Sequence, residues 1–183
     1  RLSTTGGNNT AVGVDALRAN TTGNTNVAVG QNTLQANTVG DRNVGVGYQA
    51  LILMNPSSDT DTYNVAVGYR AGAEVTTGVQ NVLIGGLAGD AATTADSNTG
   101  VGYGALGENT TGAENTGLGA FALNANTTGD QNTAVGNFAL ISNTTASNNT
   151  GVGRSALQNN TTGHSNAALG HTSLSANTTG TSN

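Results

Sequence analysis

Along the whole chain a short apolar alternation returns at a fixed interval, always after an asparagine and always followed by a glycine. Written from that asparagine, the unit reads N-T-[AG]-V-G-x-x-A-L-x-x-N-T-T-G-x-x. Position 2 is Thr or Val in nine copies, and position 4 is always Val, Ile or Leu, from Val12 through Ile84 to Leu169. Alternation of two larger residues about a small one is the period-two signature of a short strand. Position 8 is Ala in eight copies and position 9 is Leu in eight, with Gly72 and Gly89 as the exceptions. The stretch G-x-x-A-L-x-x-N fits either a second short strand or a single helical turn. N-T-T-G then closes the unit as a turn, with a glycine free to take positive φ.

The units start at 9, 26, 43, 64, 81, 98, 115, 132, 149 and 166, a step of 17 broken once by a step of 21. A segment this short cannot bury its own apolar face, but stacked copies can. The expected fold is therefore all-β, a parallel β-solenoid or β-roll of ten 17-residue coils forming a single repeat solenoid over 1–183. At about 4.8 Å per coil the rod would be roughly 48 Å long. In register, Asn9, Asn26, Asn43, Asn64, Asn81, Asn98, Asn115, Asn132, Asn149 and Asn166 are placed to form a structural amide ladder. The glycine at position 5 marks a corner. If positions 2 and 4 point inward, the small column at position 3 (Ala11, Ala28, Gly45 and their equivalents) points outward and permits close approach of another chain. The alternative is a tight inner corner. Both ends break off within a repeat and lack polar caps, as expected of a piece of a longer fibre.

Thr, Gly and Asn supply 84 of the 183 residues, against 8% charged and 3% aromatic. Five arginines and no lysine, at net charge −5, cannot assemble the basic face that nucleic acid requires. No apolar run is long enough to insert in a membrane. Without Cys there are no disulfides or thiolate sites. His164 and His171 fall at different positions of the coil. Asp15, Asp41, Asp90, Asp96, Asp130, Glu74, Glu108 and Glu114 fall mostly at variable, solvent-facing positions. No catalytic, cofactor-binding or metal-binding constellation emerges, and the repeating Asp of calcium β-rolls is missing. The sequons at Asn20, Asn109, Asn126, Asn143, Asn160 and Asn177 read first as the turn of the repeat.

The irregular stretch is an insertion at 54–63, expected as a surface loop. Around it Tyr48, Asp59, Asp61, Tyr63 and Tyr69 form a candidate contact patch. Leu83 and Leu87 stand where other copies are small or polar, next to the copies that lack Leu at position 9. That is expected to be compensation, apolar volume moved from one column to another.

Asn43-Val-Gly-Val-Gly-Tyr-Gln-Ala-Leu51 and Asn98-Thr-Gly-Val-Gly-Tyr-Gly-Ala-Leu106 resemble the N-T-A-V-G-Y-Q-A-L-x-x-N-T-T-G arrays of bacterial and phage tail-fibre proteins. They are also similar to a lengthened N-S-x-A-I-G repeat of YadA-like trimeric adhesin heads. The resemblance implies a homotrimer of parallel chains, each a left-handed β-roll, in an extracellular, cell-surface or virion fibre. Such a segment would be non-enzymatic, a rigid spacer or an attachment element for a host-surface receptor or glycan, with end-to-end filaments as the other form of self-association. The competing expectation is an ice-binding solenoid that uses the paired threonine rows, such as Thr110-Thr111 and Thr127-Thr128.

Overall fold

The computed structural model describes residues 5–183, in twelve short strands with no helix among the described residues. Ten of these form one parallel sheet, in the order β1 (Thr10–Val12), β2 (Val27–Val29), β4 (Val44–Val46), β6 (Val65–Val67), β7 (Val82–Ile84), β8 (Thr99–Val101), β9 (Thr116–Leu118), β10 (Thr133–Val135), β11 (Thr150–Val152) and β12 (Ala167–Leu169). Neighbours pair like with like: Val44 opposite Val65, Thr116 opposite Thr133, Val135 opposite Val152. The chain is a parallel β-solenoid whose coils are 17 residues apart, with one step of 21 between β4 and β6. At the start of every strand a position-2 N–H donates to the carbonyl of the next coil's asparagine, for example Thr99 to Asn115 and Thr116 to Asn132, both at 2.8 Å. Two further strands, β3 (Gly40–Asp41) and β5 (Thr60–Asp61), pair with each other and tie the insertion to the coil before it.

The segment after each strand is neither strand nor helix. It is a run of overlapping turns, closed by bonds such as Ala16 N–H to Gly13 C=O and Asn20 N–H to Leu17 C=O. The chain bends by placing positions 7, 9 and 17 in the left-handed region even where no glycine is present. Phe121 (φ 58°), Leu123 (φ 53°) and Gln131 (φ 58°) are one such set. Such conformations are disfavoured for bulky residues. They persist because the Leu N–H reaches the next coil, as Leu123 does to Ala139 C=O at 3.0 Å, while the side chain enters the core. At position 5 glycine is required: Gly102 has φ +136°, and a Cβ there would lie 2.6 Å from the Gly119 backbone.

The alternation is the reverse of the expectation above. Position 3 faces the interior, where Ala28, Ala66 and Ala134 are fully buried, and positions 2 and 4 face outward. The cause is the bore of the coil. Leu at position 9 already crosses it, as the buried Leu34, Leu51, Leu106, Leu123, Leu140 and Leu157 show, so the strand can offer only Ala or Gly. The one large residue at position 3 confirms this. Leu83 is 2% exposed and occupies the volume given up by Gly72 and Gly89; a Cβ on Gly89 would sit 2.6 Å from its Cδ2. Apolar volume has moved between columns, as expected, but through Leu83 alone: Leu87 is only half-buried and stays outside the core.

Candidate functional site

Three columns of polar side chains run along the solenoid, the first of them without a break. At position 1 the backbone N–H of each asparagine donates to Oδ1 of the asparagine one coil earlier, from Asn26 on Asn9 to Asn183 on Asn166, at 2.8–3.2 Å. Most Nδ2 groups also donate to a position-15 carbonyl, as Asn115 does to Gly129 and Asn132 to Ala146, both at 2.8 Å. The second column, at position 12, is a similar buried ladder hidden in the apparent turn N-T-T-G. Asn126, Asn143, Asn160 and Asn177 each donate through Nδ2 to the preceding Oδ1 at 2.8–3.0 Å. The two ladders meet on shared carbonyls: Gly129 C=O accepts from both Asn115 and Asn126, and Ala146 C=O from both Asn132 and Asn143. In coils three to five the second ladder is replaced outright by buried Met54, Val75 and Ala92. Exchanging the amides together avoids leaving one of them unpaired. The 17-residue recurrence of this Asn in the other seven coils was the available signal.

The third column is the first threonine of each pair, whose hydroxyl donates to the matching carbonyl one coil on, as Thr110 to Thr127 and Thr127 to Thr144. Position 16 carries a shorter version of the same device. Asp41, Asp96 and Asp130 accept the backbone N–H of Asn24, Val79 and Ala113, one coil earlier, at 2.6–2.8 Å. These three acids, read from the sequence as solvent-facing and variable, thus bond the backbone of the neighbouring coil. Among the described residues no buried side-chain polar atom lacks a partner. The sequon asparagines are members of the second ladder: Nδ2 of Asn126 and of Asn143 is buried and already donating twice.

The candidate patch divides into two groups at opposite ends of the strand. Tyr48 and Tyr69, both at position 6, stack with ring centroids 5.4 Å apart and planes at 11°. Asp61 and Tyr63 lie in the insertion, where Arg42 pairs with Asp61, and the Tyr63 hydroxyl donates to Asp61 Oδ2 at 3.2 Å. The Arg42 guanidinium also lies 5.5 Å over the Tyr63 ring. Asp59 is exposed on the insertion and joins neither group. The insertion is packed down rather than free: Thr62 is buried within 2.8 Å of both Asp41 C=O and Asn43 Oδ1.

His164 and His171 are exposed; His171 Nε2 lies 3.3 Å from Arg154 Nη1. Asp90 is partly buried beside Arg70, Glu74 and Glu108. Burial pushes its carboxyl above the usual range, and Glu108 and Glu74 push the same way, against its own backbone hydrogen bond and Arg70.

Between the two corners lies the outer face of the ten-stranded sheet. Position 4 gives it Val12, Val29, Val46, Val67, Ile84, Val101, Leu118, Val135, Val152 and Leu169, and position 2 gives it valines, threonines and one alanine. None of these twenty positions is charged. No family model, curated protein or solved structure matches this chain.

Proposed function

We propose that the chain is a rigid, non-enzymatic segment of an extracellular fibre or surface appendage, held to further copies of itself through the outer sheet face. The observation that carries this reading is that face: ten aliphatic side chains at position 4, flanked by Val and Thr, with no charge across twenty outward positions. A large apolar patch of this kind marks an association surface. The rest of the molecule supports a structural role. Its buried polar groups are committed to bonds between coils, which gives a rod that resists bending and local opening. A homotrimer of parallel chains places three such faces around one axis.

The test is mass in solution. Sedimentation equilibrium at micromolar concentration is expected to give a trimer. Val67→Lys with Val101→Lys, outward at position 4, is expected to give a folded monomer. A wild-type chain that is monomeric and fully folded would defeat the association.

A second reading uses the same face. Thr99, Thr116, Thr133 and Thr150 form an outward row beside Val101, Leu118, Val135 and Val152, an evenly spaced array suited to ordering water as ice. The paired threonines of the turn suit this less well, since the first of each pair already donates its hydroxyl. Absence of thermal hysteresis in the purified chain disposes of this reading and leaves the first intact.

A further inference from the structure

Five of the six aromatic residues share one corner of the solenoid. Tyr48, Tyr69 and Tyr103 stand at position 6 of coils three, four and six, and Phe121 and Phe138 at position 7 of the next two. The buried core is built from aliphatic side chains, so these rings are not there to fill it. Phe121 and Phe138 stack across coils at 5.7 Å and 15°, as Tyr48 and Tyr69 do. Tyr103 departs from the pattern. Its plane is turned 75° from Phe121, and its Cδ2–Cε2 edge leans into the space over Gly86, 3.4 and 3.7 Å from where a side chain would begin. Tyr103 is 53% exposed, and Tyr69, on the other side of Gly86, is 56% exposed. Planar polar groups line the same coils: the Arg70 guanidinium lies 3.1 Å from Gln49 Oε1 and 3.5 Å from Glu74.

We propose that the Tyr48–Tyr69–Tyr103 corner binds a neutral, extended glycan chain lying along the solenoid axis. The C–H face of a pyranose ring packs on an open aromatic face, while neighbouring amide, guanidinium and carboxylate groups take its hydroxyls. Tyr69 and Tyr103 are two coils apart, about 10 Å. That span suits one disaccharide unit of a β-1,4-linked chain, in which every second ring presents the same face. Glu74, Asp90 and Glu108 outnumber Arg70 along this edge and disfavour polyanions. The assignment is independent of self-association, which uses the sheet face.

Cellohexaose and chitohexaose, titrated separately into the full chain, test it through tyrosine fluorescence, unobscured because the protein has no Trp. A saturable response to either sugar is expected. Affinity should fall at least tenfold in Tyr69→Ala/Tyr103→Ala and hold in Tyr103→Phe and in Tyr63→Ala, which lies at the other corner. No saturable response to either sugar overturns the proposal; so does undiminished binding by the double variant, or tighter binding of the polyanion alginate. Should the double variant not fold, ring-proton shifts in the wild-type chain decide: perturbation at Tyr69 and Tyr103 supports the site, and perturbation confined elsewhere overturns it.

Discussion

The asparagine at position 1 has one backbone donor and a side-chain amide to satisfy while buried, and the neighbouring coils supply the partners. Asn115 shows the arrangement. Its Oδ1 accepts the N–H and the Nδ2 of Asn132 at 3.0 and 3.1 Å, and its own Nδ2 donates to Gly129. Asn115→Ala leaves the Asn132 N–H unpaired and takes one of the two acceptors of its Nδ2, and is expected to cost roughly 2–3 kcal/mol in chemical denaturation. Asn115→Asp should cost more, because it removes the donor and buries a charge. At position 5 the constraint is backbone geometry. Gly102→Ala meets the Gly119 backbone at a φ that L-residues avoid, and a loss of more than about 3 kcal/mol is expected. Asp90 behaves differently, because its folded-state pKa is raised. The folded chain then binds this proton more tightly than the unfolded chain, so its contribution favours folding in acid and is lost as pH rises through the folded pKa. Asp90→Asn is therefore expected to raise stability at neutral pH and to flatten the stability–pH profile in mild acid.

Within the coil, strand and turns are coupled by volume. Leu83 fills the space above Gly72 and Gly89, which predicts a compensating pair. Leu83→Ala alone is expected to cost about 2–5 kcal/mol as a cavity. Gly89→Leu alone clashes with Leu83 and also destabilises. Combined, they rebuild the arrangement of the other coils, and a double-mutant cycle is expected to show favourable coupling of roughly 1–3 kcal/mol. The coil length, the strand positions, the corner glycine at position 5 and this exchange of volume were legible in the sequence, because each follows from spacing or size. The role of the N-T-T-G glycine was not: Gly112, Gly129 and Gly163 do not take positive φ, and glycine is needed there because a Cβ would meet the backbone of the next coil. The direction of the strand was not. A period of two says that positions 2 and 4 share a face, but which face is buried depends on how much bore Leu at position 9 leaves. Nor did Leu123 or Phe121 announce a left-handed φ, since nothing in a leucine or phenylalanine marks one. The second asparagine ladder was visible as a recurrence, but its N-T-T-G setting carries the composition of an exposed turn. The patch around the insertion was half legible. Tyr48 does meet Tyr69, and Asp61 does meet Tyr63, but the strand lies between the two pairs.

Across the whole molecule, cohesion depends on identical neighbours, so stability should spread along the rod rather than reside in one centre. The uncharged sheet face and the aromatic corner are adjacent but separate, which allows one surface to hold copies together while the other meets a ligand. Both depend on the coils being stacked in register. The most direct measurement of that register is the through-hydrogen-bond NMR coupling between backbone nitrogen and carbonyl carbon. Couplings are expected from Thr99 to Asn115, Thr116 to Asn132 and Thr133 to Asn149, each spanning 16 residues. Couplings that instead join residues a few positions apart, as in hairpins, or their absence at these sites in the folded chain, would contradict the stacked solenoid.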